Sequence, residues 1–243
     1  MDNSLKVFFS VDAEPDCMSF FRDSYRGMEE GMPALLDLLE EEGVKATFFS
    51  TGQVAEKYPA VTRELVSRGH ELGCHGMTHR RFTSLDRAEA KQEIQESSRI
   101  LRKFASVTSF RAPYLEFPDS YLDLLVEADY LLDSSQAKYK IAYYKNRGPA
   151  TALKRMPVSV TSSFIRLPLW FRTPFFKRLD NPVVLYVHPW EFVDLRQEKM
   201  RLDCRFKTGQ AALDCLRSAL RFFKGRNARF YTFAELTQPT GTL

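Results

Sequence analysis

Short apolar, β-branched or aromatic runs alternate with helix-patterned stretches along nearly the whole chain, and this alternation constrains the fold more than any other feature. Strands that recur only after an intervening helix pair in parallel, because a parallel neighbour needs a long crossover where an antiparallel one needs only a turn. The pattern predicts strands at residues 5–11, 44–49, 69–74, 107–111, 130–132, 164–167, 183–187 and 229–232. It predicts helices at residues 32–42, 59–68, 87–104, 120–128 and 210–223. The first of these ends at Gly43, a natural C-terminal stop, and the third starts from Ser84-Leu-Asp86 and carries Ile94, Ser98 and Leu101 along one stripe. Between residues 139 and 178 the pattern weakens around Pro149, Pro157, Pro168 and Pro174, which reads as a long insertion after a strand and not as a second domain.

At 243 residues the chain can bury one large core, so a single domain over residues 1–243 is expected. Hydrophobic and charged fractions of 44% and 27% place it among globular proteins and exclude disordered and collagen-like chains. The 35 basic residues are interspersed with 31 acidic ones for a net charge of +4, too little for a broad basic face, so no nucleic-acid partner is expected. No stretch approaches the ~20 apolar residues that span a bilayer, which argues against stable membrane insertion. Met1-Asp-Asn-Ser-Leu-Lys6 does not read as a leader, so the expected location is cytoplasmic. The cysteines Cys17, Cys74, Cys204 and Cys215 lack metal-site spacing and read as buried thiols. Cys74 adjoins His75, and strand neighbours point to opposite faces, so it is expected to turn away from that histidine.

Several of the apolar runs end in polar motifs. Ser10-Val-Asp12-Ala-Glu14 follows the first strand, with Asp16 two residues further on, and Cys74-His-Gly-Met-Thr-His79 follows the third. Phe110-Arg-Ala-Pro-Tyr114 and Leu185-Tyr-Val-His-Pro-Trp190 follow later ones. His75 and His79 stand at i and i+4, which on a helical turn brings Cβ atoms to about 5–6 Å and lets two imidazoles share one divalent cation. A bare pair with this spacing is more often two solvated loop histidines; the acidic cluster and the repeated strand-end placement reverse those odds. Placing chemistry at the C-terminal ends of several parallel strands is how a β/α barrel builds an active site.

In this order the motifs resemble those of the polysaccharide deacetylases of carbohydrate esterase family four, and the similarity runs from about Leu5 to Leu236. Ala46-Thr-Phe-Phe-Ser-Thr-Gly52 and Arg68-Gly-His-Glu-Leu-Gly73 match that family's framework as well. The chain departs from it in having Asp-x-Glu for adjacent aspartates and His-Gly-Met-Thr-His without a hydroxyl residue after the first histidine. The aspartate–tryptophan element is not visible, and Asp133 is its nearest counterpart. The His188-Pro-Trp190-Glu191 ending resembles one branch of the family.

The resemblance implies a distorted (β/α) barrel of about seven strands and hydrolysis of an acetamide on an amino sugar. It implies one divalent ion, zinc by its ligand types, held by Glu14, His75 and His79, with Asp12 as general base. Asp12 and Glu14 nominally share one strand face, so their roles can be exchanged, with Asp16 a distant third. Arg111 would pair with and orient the base, Pro113 would fix the turn at the substrate side, and the Tyr114 N–H would meet the oxyanion. His188 would protonate the leaving amine, held by Asp133 or Glu191, while His70 stays outside the site. Trp190 is a further candidate substrate contact.

The segment 164–178 mixes aromatics with Arg166, Arg172, Lys177 and Arg178 and invites a membrane-surface reading. Pro168 and Pro174 oppose a continuous helix there, so the expectation is a strand at 164–167 with the aromatics lining the cleft and Trp170 stacking on a sugar ring. Expected substrates are a nucleotide sugar, a lipid-linked glycan or an imported oligosaccharide. Two alternatives are an amidase or cyclic imidase of the same architecture and a non-catalytic carbohydrate-binding homologue.

Overall fold

The computed structural model describes residues 4–17, 20–21, 23–145 and 152–237. Its strands are β1 (Lys6–Ala13), β2 (Thr47–Ser50), β3 (Glu71–Cys74), β4 (Ser109–Phe110), β5 (Leu132–Asp133), β6 (Lys154–Arg155), β7 (Val183–Val187) and β8 (Arg229–Tyr231). Its α-helices are α1 (Met32–Glu41), α2 (Gly52–Lys57), α3 (Pro59–Ser67), α4 (Arg87–Leu101), α5 (Leu122–Glu127), α6 (Ile141–Lys145), α7 (Ser162–Ile165), α8 (Leu169–Phe176), α9 (Leu202–Arg205) and α10 (Gln210–Lys224).

The strands form one parallel sheet in the order β6-β5-β4-β3-β2-β1-β7, with β8 paired to the start of β1. Just past β6, the Ser159 N–H donates to the Val184 carbonyl and the Val184 N–H donates to Ser159 Oγ, each at 2.9 Å. These bonds bring the two ends of the sheet together, so it curls into the distorted barrel expected from the sequence.

β1 is buried from Val7 to Ala13, as a central parallel strand covered on both faces must be. Its Phe8 enters an inner cluster with Phe49, Val184, Tyr186 and Phe233. Successive side chains alternate, so Ser10 and Asp12 share the inner face with Phe8, and His188 shares it with Val184 and Tyr186. The same alternation that builds the core therefore delivers Asp12 and His188 to one end of the barrel. Outside the sheet, Leu35, Leu36, Leu38 and Leu39 of α1 join Val7, Phe9 and Val11 in the larger core.

α4 begins with the capping expected from Asp86: the Glu89 N–H donates to Asp86 Oδ1 at 2.8 Å, and the Asp86 N–H to Glu89 Oε2 at 3.0 Å. It ends at Leu101 and not at residue 104. Other sequence-predicted boundaries shift by at most three residues, and β7 matches at both ends. α2 was not anticipated, being too short to show a period; its Gly52 fits because a Cβ there would lie 2.4 Å from Met77 Sδ and 3.2 Å from Ser97 Cα.

The segment after residue 139 departs most from expectation. Residues 164–167 are not a strand: Phe164 and Ile165 end α7, and the sheet position falls to β6. A run as short as Phe164-Ile-Arg-Leu167 cannot distinguish a buried strand from a buried helical turn. α8 forms despite its prolines, because Pro168 precedes its first turn and Pro174 removes only a bond to the carbonyl of Trp170, on the exposed side where water can serve. Arg172 is buried, with Nη1 donating to the Cys215 carbonyl at 2.9 Å and to that of Ile165. Pro149 lies outside the described residues. Among the described residues, no helix is long and apolar enough to cross a membrane.

His70 is a structural residue, its Nδ1 accepting the Ala46 N–H at 3.2 Å. Burial, with the charges of Lys45 and Arg68, lowers its pKa to about 4. The unfolded chain binds this proton near its ordinary value of about 6.5 and the folded chain does not, so stability is full above that value and falls as the pH drops towards 4. Urea unfolding should lose on the order of 1 kcal/mol per pH unit across that window from this group. The His70→Gln variant should lose less, and equal slopes in the two proteins would contradict the assignment.

Candidate metal centre and active site

Glu14 stands just beyond β1 and directs its carboxylate at three imidazoles. Its Oε2 lies 3.1 Å from His75 Nε2 and 2.6 Å from His79 Nε2, and its Oε1 lies 3.8 Å from His188 Nε2. All of these side chains are largely buried. Donor atoms of Glu14, His75 and His79 fall within 4.8 Å of one another. The arrangement brings together the three residues singled out as metal ligands and leaves Asp16 elsewhere. Asp16 accepts from the Gly27 N–H at 2.8 Å and Ser24 Oγ at 2.7 Å and so shapes a loop.

The residues fit a divalent cation on chemical grounds. His75 Nδ1 lies 2.7 Å from the Arg111 carbonyl, so it carries the proton and Nε2 presents a lone pair to the site. His79 Nε2 faces the same Glu14 oxygen at 2.6 Å, so both imidazoles aim a ring nitrogen at one point beside that carboxylate, as ligands of a shared ion would. Burial would raise the Glu14 pKa, yet the charges of His79 and His188, with the hydrogen bonds of His75 and His79, hold it well below the usual carboxylate range. Two imidazoles and one carboxylate form a borderline-hard donor set suited to zinc and its neighbours, with coordination positions left over.

The histidine pair does not use a helical turn. Residues 75–79 are a loop in which Gly76 and His79 have φ of +76° and +59°. It is clamped from two sides. The N–H groups of Gly52 and Gln53 at the start of α2 donate to the carbonyls of Gly76 and Met77 at 2.9 and 3.0 Å. Glu93 of α4 accepts the N–H groups of Met77 and Thr78 at 2.8 and 3.0 Å and the Thr78 hydroxyl at 2.5 Å. No sequence signal pointed to Glu93, which lies on a helix read only for its apolar stripe.

Asp12 is paired with Arg111, whose Nη1 donates to Oδ1 at 2.6 Å while Nη2 donates to Ser134 Oγ at 3.0 Å. Arg111 is fully buried, its guanidinium carbon 4.3 Å from the centre of the Phe49 ring. His188, at the end of β7, is held by Glu191: Nδ1 and Oε1 are 2.8 Å apart, and the His188 N–H donates to the same oxygen at 3.0 Å. Arg166 Nε lies 2.9 Å from the other Glu191 oxygen. Burial opposes the charge on His188, but Glu14 and the hydrogen bond it donates to Glu191 outweigh it and raise its pKa to about 9. Arg166 and His188 likewise hold Glu191 below its usual value against burial.

Four expected site residues fall elsewhere. Asp133 is not the partner of His188; it bonds the Ser135 N–H at 3.0 Å and the Ser135 hydroxyl and lies 2.9 Å from Arg155 Nε. Ser135 in turn accepts the Ala112 N–H at 2.8 Å, so Asp133 braces the Arg111–Tyr114 loop. Trp190 packs behind His188, their rings stacked at 5.0 Å, and is buried. Trp170 is 77% exposed on α8 and does not line the cleft. Pro113 is buried in the turn that carries Tyr114, away from the cleft lining.

The cleft encloses about 320 Å³, enough for a sugar-sized ligand. Besides the predicted Asp12, Glu14, His75, His79, Tyr114 and His188, it is lined by Tyr139, Tyr186, Cys17, Arg201 and Cys204. Tyr186 was readable, since it lies two residues before His188 on the same strand face. Cys17, Cys204 and Cys215 are partly exposed and not the buried thiols expected, and Cys17 and Cys204 meet at the rim from distant parts of the chain. Cys74 does turn away, its Sγ 3.2 Å from Ser97 Oγ.

Histidines and carboxylates thus converge at the strand ends of a parallel barrel. The chain belongs to the polysaccharide deacetylase family, whose model matches residues 11–132. It is 38% identical over 93 residues to a chitooligosaccharide deacetylase of Sinorhizobium fredii, covering 37% of this chain and 43% of that protein. It is 30% identical over 132 residues to a peptidoglycan-N-acetylglucosamine deacetylase of Bacillus cereus, covering 54% of this chain and 44% of that protein. The matched stretches thus span less than half of these curated relatives. The crystal structure of a peptidoglycan N-acetylglucosamine deacetylase in complex with 4-naphthalen-1-yl-N-oxidanyl-benzamide shares the fold, with a TM-score of 0.66 at 21% identity over 99% of this chain and 92% of that one.

If Glu93 fixes the metal loop, Glu93→Ala should weaken zinc binding by about 10–100-fold while the chain stays folded. Glu93→Gln, which keeps one acceptor, should restore most of the affinity. A zinc titration in which Glu93→Ala matches the parent chain would contradict this role.

Proposed function

We propose that the protein is a metal-dependent N-deacetylase that hydrolyses the acetamide of an amino sugar in a glycan. The observation that carries this reading is the convergence, in one cleft, of the Glu14–His75–His79 donor set with the Asp12–Arg111 and His188–Glu191 pairs. A divalent ion, zinc by the donor set, would lower the pKa of a bound water and polarise the acetamide carbonyl.

The remaining steps fall to the chain's own groups. Asp12, oriented by Arg111, takes a proton from the water as its oxygen bonds to the carbonyl carbon. The backbone N–H of Tyr114, on a residue with φ of +61° beside His79, is the candidate donor to the oxyanion. His188 donates its Nε2 proton to the amine nitrogen as the C–N bond breaks, leaving acetate and a free amino sugar. Glu191 holds the opposite ring nitrogen, so it fixes which nitrogen faces the cleft. Tyr186 and Tyr139, whose hydroxyls lie 3.2 Å apart, offer polar and aromatic surface to a sugar ring.

Acetate release from acetylated chitooligosaccharides and peptidoglycan fragments tests the reading. Activity should disappear with a chelator and return with added zinc. Asp12→Asn should keep its metal and lose at least about 100-fold in kcat. Acetate release unaffected by chelator, or undiminished in Asp12→Asn, would refute the assignment.

A further inference from the structure

Beside the cleft, α7, α8 and α9 build an apolar face that nothing in the described residues covers. α8 shows Leu169, Trp170, Phe171 and Phe175 to solvent. The rings of Phe171 and Phe175 lie 6.1 and 4.7 Å from that of Phe164. Phe164 in turn lines a groove of about 400 Å³ with Leu167, Leu202 and Phe206. The exposed helix face and the groove are therefore one surface, larger than scattered apolar residues would make.

α9 joins this surface to the cleft. Leu202 and Asp203 line the groove, while Arg201 and Cys204 line the cleft that holds Glu14, His75 and His79. The junction is firmly held. The buried Arg166 donates to the carbonyls of Cys204, Phe206 and Asp203 at 3.0, 2.6 and 2.8 Å, and lies against Glu191 with its remaining nitrogen. With its backbone pinned in this way, the segment carrying Leu202 and Phe206 holds them at the surface.

The rim of the face is basic. Lys177 and Arg178 follow α8 and are exposed, and Arg205 and Lys207 flank Phe206, with Lys207 Nζ 5.6 Å from its ring centre. The nearby acids are matched: Asp203 Oδ2 lies 2.8 Å from Arg201 Nη2, and Asp180 Oδ2 lies 3.8 Å from Lys138 Nζ. Aromatic and leucine side chains at the centre with lysine and arginine at the edge suit the boundary between lipid headgroups and acyl chains. A second copy seated across a twofold axis would instead bring this basic rim against itself.

We propose that this face docks the protein on an anionic membrane surface, with the cleft at the margin of the contact. The docking stands independently of the reaction carried out in the cleft.

Flotation of the full chain with phosphatidylcholine vesicles, with and without phosphatidylglycerol, tests it. The chain should float with the phosphatidylglycerol vesicles and only weakly with phosphatidylcholine alone, and salt should weaken the binding. The pair Lys177→Glu and Arg178→Glu, and separately the pair Phe171→Ser and Leu202→Ser, should each weaken binding by about tenfold or more. Neither pair should change acetate release from a soluble chitooligosaccharide, which keeps this test apart from that of the reaction. No flotation with phosphatidylglycerol vesicles, or equal flotation of parent and variants, would overturn the proposal. A concentration-dependent dimer that Phe171→Ser dissociates, without flotation, would also overturn it and assign the face to a second copy.

Discussion

One buried carboxylate organises this molecule. Glu14 reaches from the end of β1 into contact with His75, His79 and His188, which come from the third and seventh strands. β1 lies between β2 and β7 and also pairs with β8, so a side chain at its end can meet partners from both sides. Two of the three imidazoles share one Glu14 oxygen, an arrangement that would suit a cation held between them. The remaining architecture can be understood as keeping that meeting point in place.

Two further charged pairs surround it, and each is anchored by the fold instead of by solvent. Arg111 and Asp12 lie in the barrel interior, and Arg166, Glu191 and His188 form a chain on the other side. Buried ions of this kind stabilise little on balance, because desolvation offsets their attraction, while removing one partner costs about 3–5 kcal/mol. Their value lies in geometry. Arg111 is held by Ser134 and packed on Phe49, so Asp12 is fixed in direction. Arg166 also grips the backbone of residues 203–206, which links the histidine at the end of β7 to the segment forming the cleft rim.

Much of this was legible in the sequence wherever local rules decide the outcome. β1 and β7 were found because long buried strands read as unbroken apolar runs, and Asp12, Glu14 and His188 followed from their place at the strand ends. Spacing brought out His75 and His79, although a clamped loop and not a helix delivers them. The failures come from tertiary choices. Glu191 and Asp133 were equal candidates for His188 until packing placed one beside Arg166 and the other beside Arg155. Residues 164–167 carry three apolar side chains that either a strand or a helical turn can bury, and the sheet position went to the two-residue β6. Cys17 and Cys204 meet across most of the chain's length, beyond the reach of any spacing rule.

Those two cysteines also line the cleft, so thiolate and imidazole are the two ligand types to be told apart at a bound metal. X-ray absorption at the zinc edge of the loaded protein distinguishes them directly. Coordination by Glu14, His75 and His79 predicts nitrogen and oxygen scatterers at about 2.0–2.2 Å with the outer-shell pattern of two imidazoles. A sulfur shell at about 2.3 Å, or a spectrum without imidazole features, would contradict the account.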